Sequence, residues 1–152
     1  MQRHVFLVGT DHRYQRGVAF GVPDSVFADF RAELQRLISE HAIRGLAEEM
    51  SHDGLGIHRS AGGSLAFFIA RELGLSHRYC DPTRAEREQD SITTLEQRER
   101  HWLTELQSFP GFPCLFILGA DHVSSFSSLL RDSGFTVSVL VPDWEPDLHF
   151  KA

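Results

Sequence analysis

The sequence predicts an α/β domain, a mainly parallel five-stranded sheet with flanking helices and Rossmann-like layering. Three observations carry that reading. Five short apolar runs alternate with stretches of helical periodicity. Such alternation implies parallel strands joined by right-handed crossovers. The chain has 152 residues, 41% hydrophobic and 24% charged, the size and make-up of one domain (1–152) with its own core.

The first run, His4 to Thr10, is rich in Val, Phe and Leu and meets a glycine near its end, as a fully buried strand should. A helix is expected from Asp24 to His41, where Val26, Phe27, Phe30, Leu34, Leu37 and Ile38 recur at helical spacing behind Pro23 and Asp24. Ala42 to Glu48 reads as the second strand and Ser64 to Leu73 as its helix, closed by Gly74. Ser76 to Cys80 is a short third strand. A single long helix is expected to open at Pro82-Thr83-Arg84-Ala85-Glu86 and end before Pro110. Thr83 and Glu86 have capping-box spacing, and Ile92, Leu95, Trp102, Leu103 and Leu106 form the buried stripe. Cys114 to Leu118 is the fourth strand, Ser124 to Asp132 a helix, and Phe135 to Val141 the fifth strand.

Charge and composition narrow the function. With 15 basic and 21 acidic residues the formal net charge is −6, and Lys151 is the sole lysine. This balance does not favour a nucleic-acid partner or an anionic membrane surface. No apolar run approaches the ~20 residues that span a bilayer. The four-residue apolar block after His4 is too short for a signal segment. Cys80 and Cys114 have no metal-knuckle spacing and are not expected to pair. The expected location is cytoplasmic.

In open parallel sheets the ligand lies outside the carboxyl ends of the strands. That edge is expected to collect Gly9-Thr10-Asp11-His12, Glu48-Glu49, Tyr79-Cys80-Asp81 and Gly119-Ala120-Asp121-His122. At that edge Gly-x-x-His thus occurs twice, each time directly after a buried strand. Five carboxylates (Asp11, Glu48, Glu49, Asp81 and Asp121) gathered there repel one another, and a divalent cation would remove that repulsion. Imidazole with carboxylate suits zinc, manganese, iron or cobalt. Arg13 and Arg78 are the alternative source of compensation, with no metal. Adjacent strand residues face opposite ways, so Glu48 is favoured as the ligand with His12 and His122, and Glu49 as an outer group or base. The loops from Asp11 to Pro23 and from Met50 to Gly63 are long enough to be functional. The second holds four glycines and the lid candidates His52 and His58.

Other chemistries find less support. There is no phosphate-binding Gly-x-x-x-x-Gly-Lys-Ser/Thr and no His-Glu-x-x-His. Gly62-Gly63-Ser64-Leu65-Ala66 is like a nucleophile elbow but follows a glycine-rich loop rather than a strand. Cys80 is a second nucleophile candidate.

The motifs Val8-Gly9-Thr10-Asp11-His12, Ala47-Glu48-Glu49 and Leu118-Gly119-Ala120-Asp121-His122, in this order, resemble those of the Tiki/TraB group and the related erythromycin-esterase and ChaN-like proteins. The resemblance implies a metal-dependent hydrolase; among the relatives are membrane-tethered metalloproteases, lactone hydrolases and haem binders. Families of this group are typically larger, and both motifs here carry aspartate before the histidine.

The expected activity is therefore metal-dependent hydrolysis of a small-molecule or peptide substrate. His12, Glu48 and His122 would hold the ion, and Glu49 or Asp121 would accept a proton from water. Arg13, Arg78 or Tyr79 would steady developing negative charge. Two alternatives are a non-catalytic module binding a small anion or nucleotide through Arg13 and Arg78, and a protein-interaction domain whose histidines only tie loops together.

Overall fold

The computed structural model describes residues 2–19, 21–57 and 62–146. Its elements in order are β1 (His4–Thr10), α1 (His12–Gln15), α2 (Asp24–Glu40), β2 (Gly45–Glu48), α3 (His52–Ile57), α4 (Leu65–Leu73), β3 (Ser76–Tyr79), α5 (Arg84–Gln89), α6 (Leu95–Gln107), β4 (Cys114–Gly119), a 3-10 turn (Ala120–His122), α7 (Val123–Asp132) and β5 (Thr136–Trp144). The five strands form one parallel sheet in the order β3-β2-β4-β1-β5. The α/β expectation holds.

Chain direction explains the layering. From β1 to β2 to β3 the chain moves toward one edge of the sheet, and α2 and α4 cover one face with Phe30, Leu34, Ile69 and Leu46 at its core. From β3 to β4 to β5 it moves back, and α6 and α7 cover the other face with Trp102, Leu106, Phe116 and Phe126. Opposite directions demand opposite faces when every crossover is right-handed. Chain leaving β4 therefore turns to one face while chain leaving its neighbours β1 and β2 turns to the other. A crevice opens between those exits, at the strand carboxyl ends.

Several sequence expectations change. The long helix after Pro82 is two helices, broken at Asp90–Thr94 where Ser91 takes a positive φ of 54°. A second capping box, Thr94 with Gln97, restarts the chain as α6, just as Thr83 with Glu86 starts α5. Leu95 is exposed, and the buried stripe of α6 is Glu99, Trp102, Leu103 and Leu106. The loops after β1 and β2 are partly helical, holding α1 and α3. His58 lies outside the described residues, and His52 sits edge-on against Tyr79, beside the third strand. Cys80 and Cys114 are both buried as free thiols, with β2 lying between their two strands. Burial pushes both thiols upward, which removes Cys80 as a nucleophile.

Gly9 is required by packing. A Cβ there would lie 2.1 Å from the carbonyl oxygen of Pro142. The missing side chain lets β5 close on β1 where their register shifts, between Leu7 and Thr10.

Candidate functional site

β1 ends at Thr10, whose hydroxyl donates to the Trp144 carbonyl at 2.9 Å and ties the strand end to β5. Asp11 then caps α1, accepting from the Arg13 backbone N–H at 2.9 Å and from the Arg13 side chain at 3.2 Å. One oxygen of its carboxylate is thereby occupied, and His12 becomes the first residue of the helix. One turn later the buried Gln15 faces back toward the sheet. Its amide nitrogen donates to Glu48 at 3.2 Å and its amide oxygen accepts from His12 Nδ1 at 2.6 Å.

β2 ends at Glu48, and the two glutamates part there. Glu48 turns to the α4 side, where its Oε2 accepts from His77 Nε2 at 2.6 Å and from the Ser64 hydroxyl. Ser64 is the N-cap of α4, and Tyr79 accepts from the Ser64 backbone N–H at 3.1 Å. Glu48, Ser64, His77 and Tyr79 thus form a closed structural clamp, in which burial raises the Tyr79 phenol above its ordinary value. Ser64 is fully buried with its hydroxyl bonded to Glu48 inside this clamp, where a substrate does not reach it as a nucleophile.

Glu49 turns the other way and becomes the hub. Its Oε1 accepts from the Gly119 N–H at 2.8 Å, at the very end of β4. Its Oε2 lies 2.6 Å from Arg98 Nη2, 3.3 Å from His12 Nε2 and 3.7 Å from His122 Nε2. Burial alone would raise this carboxyl, but His12, the Gly119 N–H and His122 outweigh it and hold Glu49 below its ordinary value. The hydrogen bond to Glu49 raises His12 against the opposing effect of burial, with a further lift from Gln15. His12 and His122 do converge on one carboxylate, and it belongs to Glu49. Glu48, the expected ligand, is committed elsewhere.

His122 closes the 3-10 turn and is almost fully buried, edge-on to Trp102. Its Nδ1 donates to Glu99 Oε2 at 2.8 Å, and Ser125 donates to the same oxygen at 2.6 Å. Each imidazole therefore has Nδ1 held by an acceptor behind it and Nε2 presented to Glu49. Gly119 keeps the gap narrow, since a Cβ there would lie 3.1 Å from His12 Nε2 and 3.3 Å from Glu49 Oε1.

Compared with protein families, curated proteins and solved structures, the chain matches none.

The other expected site residues scatter. Arg13 is exposed and paired to Asp11. Arg78 donates to the Glu105 carbonyl and to Ser108 at the end of α6, and lies over Phe109. Asp121 is exposed and lines a cleft of ≈ 500 Å³ shared with His12 and His122. Cations do compensate gathered carboxylates: Arg13 pairs with Asp11, as expected, while those on Glu49 and Asp81 come from the helices after β3. Asp81 accepts from Arg98 at 3.1 Å, from Arg87 at 2.8 Å and from the Trp102 indole at 2.9 Å. Sequence reading passed over Arg98 and Glu99. A signal existed for Glu99, a carboxylate in the stripe position between Leu95 and Trp102 where an apolar residue would be expected.

The donor set suits a divalent cation in type: two imidazole nitrogens and a carboxylate, with both rings fixed from behind by acceptors. Arg98 is the competitor for Glu49 Oε2, and its Nε already has Asp81 to hold it aside. Among the described residues, one set of three has all its donor atoms within 4.8 Å of one another: Glu86, His101 and Glu105, on α5 and α6. His101 Nε2 lies 3.7 Å from Glu86 and 3.8 Å from Glu105.

Proposed function

We propose that the chain is a metal-dependent hydrolase of small-molecule or peptide substrates, with His12, Glu49 and His122 as the residues that would hold the ion. The observation supporting this reading is that two imidazoles, each fixed at Nδ1 by Gln15 or Glu99, present Nε2 to one buried carboxylate at the switch point of the sheet. Zinc, manganese, iron or cobalt would supply Lewis acidity there, bringing the pKa of a water toward neutrality.

The chain's own groups supply the rest. Asp121, exposed in the cleft that His12 and His122 also line, accepts the proton that water loses. Arg98, released from Glu49 but still held by Asp81, faces the negative charge that develops on the substrate oxygen. Gln15 and Glu99 orient the imidazoles. The Tiki/TraB-like motifs are consistent with the same chemistry.

Arg98 also favours a second reading. With its guanidinium 2.6 Å from Glu49, the carboxylate is neutralised without a metal. In that case His12, half exposed and raised by Glu49, exchanges protons with the substrate directly.

One experiment separates the two. The protein, purified without nickel affinity, is analysed for metals and assayed on ester, amide and phosphoester panels with and without a chelator. The expected result is about one bound ion per chain, lost in His12→Ala, Glu49→Gln and His122→Ala together with hydrolysis. Hydrolysis that survives the chelator in protein free of metal establishes the second reading. Absence of hydrolysis throughout overturns both.

A further inference from the structure

His12, Glu49 and Arg98 also line a second cleft, of ≈ 380 Å³, on the side of α3 and α5, a volume suited to a small molecule. Its other charged residues include Arg16, Arg87, Asp53 and Asp81. Each carboxylate in this cleft already has a donor. Glu49 is bonded by Arg98 and Gly119, Asp81 by Arg87, Arg98 and Trp102, and Asp53 by the Arg84 backbone N–H.

Arg16 has no such partner. It follows α1 directly, one turn beyond His12, and forms no ion pair among the described residues. Its Nε is shut away from solvent with no hydrogen-bond partner. Asp11, whose charge is felt at Arg16, is taken by Arg13. A guanidinium without a carboxylate partner, lining a cleft of this size, suits a planar or tetrahedral oxyanion.

We propose that Arg16 is the anion-binding residue of this site, seating a carboxylate or phosphate group of the substrate beside the bond presented to His12. The assignment rests on the hydrolase reading of the same edge and names its substrate class: a small molecule bearing an oxyanion a few bonds from the labile group. Arg16 touches the substrate away from the reacting atoms and sets specificity.

The test is binding, measured by calorimetry with sodium phosphate and sodium acetate as probes, chloride as the control and a chelator present throughout. Wild-type protein should bind one or both, and Arg16→Gln should weaken binding at least about tenfold while its circular dichroism is unchanged. Tighter binding of phosphate assigns a phosphoryl substrate, and tighter binding of acetate a carboxylate one. If Arg16→Gln does not fold, Arg16→Lys decides, since it keeps the charge and loses the fork: it should weaken acetate more than phosphate. No binding by wild type, undiminished binding by Arg16→Gln, or unaltered acetate binding by Arg16→Lys overturns the assignment. Phosphate or acetate binding that persists in His12→Ala keeps the anion site standing even where no hydrolysis is found, so the two readings fail separately.

Discussion

Glu99 holds His122 from behind: the imidazole Nδ1 donates to its carboxylate at 2.8 Å from within the otherwise apolar face of α6. This fixes which nitrogen is free for Glu49. Partners of this kind govern ligand orientation, and their loss lowers metal affinity or activity by roughly 10–100-fold. Glu99→Gln, which keeps the volume, should show that loss in metal titration and turnover while the fold persists. Unchanged metal affinity and turnover would reduce Glu99 to a packing residue.

The adjacent glutamates should separate stability from activity. Glu48 is fully buried with His77, Ser64 and Gln15 as partners, so Glu48→Ala should lower the unfolding free energy by about 3 kcal/mol in urea titration. Glu49→Gln should abolish turnover in folded protein. The reverse pattern, with Glu48→Ala stable but inactive, would return the hub to Glu48.

The two motif glycines should differ in the same way. Gly9→Ala drives a Cβ into the Pro142 backbone and should cost about 3 kcal/mol, since main chain cannot step aside as a side chain can. Gly119→Ala presses on His12 and Glu49, which can shift by a few tenths of an ångström. It should cost no more than about 1 kcal/mol yet lower turnover about tenfold or more through misplacement. Equal stability losses in the two variants would contradict this account.

The charge of His12 sets a pH dependence. Glu49, after β2, raises it; Arg98 on α6 opposes, and His122 lies across the same carboxylate. A folded value above the ordinary one of about 6.5 means that the stabilisation is fully present below that value. It is lost as the pH rises through the folded value. With chelator present, the stability difference between wild type and His12→Gln should therefore shrink from pH 6 upward. A difference constant with pH would show that His12 is not raised by folding.

The two capping boxes can be weighed singly. Thr83→Ala and Thr94→Ala should each cost about 1 kcal/mol in chemical unfolding. A negligible effect of Thr94→Ala would mean that α6 does not depend on its restart.

The strands were legible in the sequence because a sheet covered on both faces needs uninterrupted apolar runs, and β1 and β4 supply them. The position of both histidines followed from those runs. The facing of Glu48 and Glu49 did not, because it depends on the residue at which β2 stops pairing, and that is decided by β3 and β4 rather than by the local sequence. The break before α6 was hidden because helical periodicity continues across it from Ile92 to Leu106. Thr94 and Gln97 mark it only when a second capping box is sought. Arg98 reads as one more charge on a charged helix; only the return of α6 past the strand ends aims it at Glu49. Arg78, by contrast, sits near a strand end in sequence but lies along β3 and is drawn to the end of α6.

The strand order has a consequence for how the molecule is built. β1 lies between β4 and β5, so Val5 waits for Cys114 on one side and Val137 on the other. Contacts so distant along the chain form slowly, because a long loop must close before any of them is rewarded. Until then the first strand to be made presents two open edges. The crevice shares that delay: His12 meets Gly119 and His122 only when the sheet's centre has closed, so catalytic competence should appear with the last phase of refolding and never ahead of it.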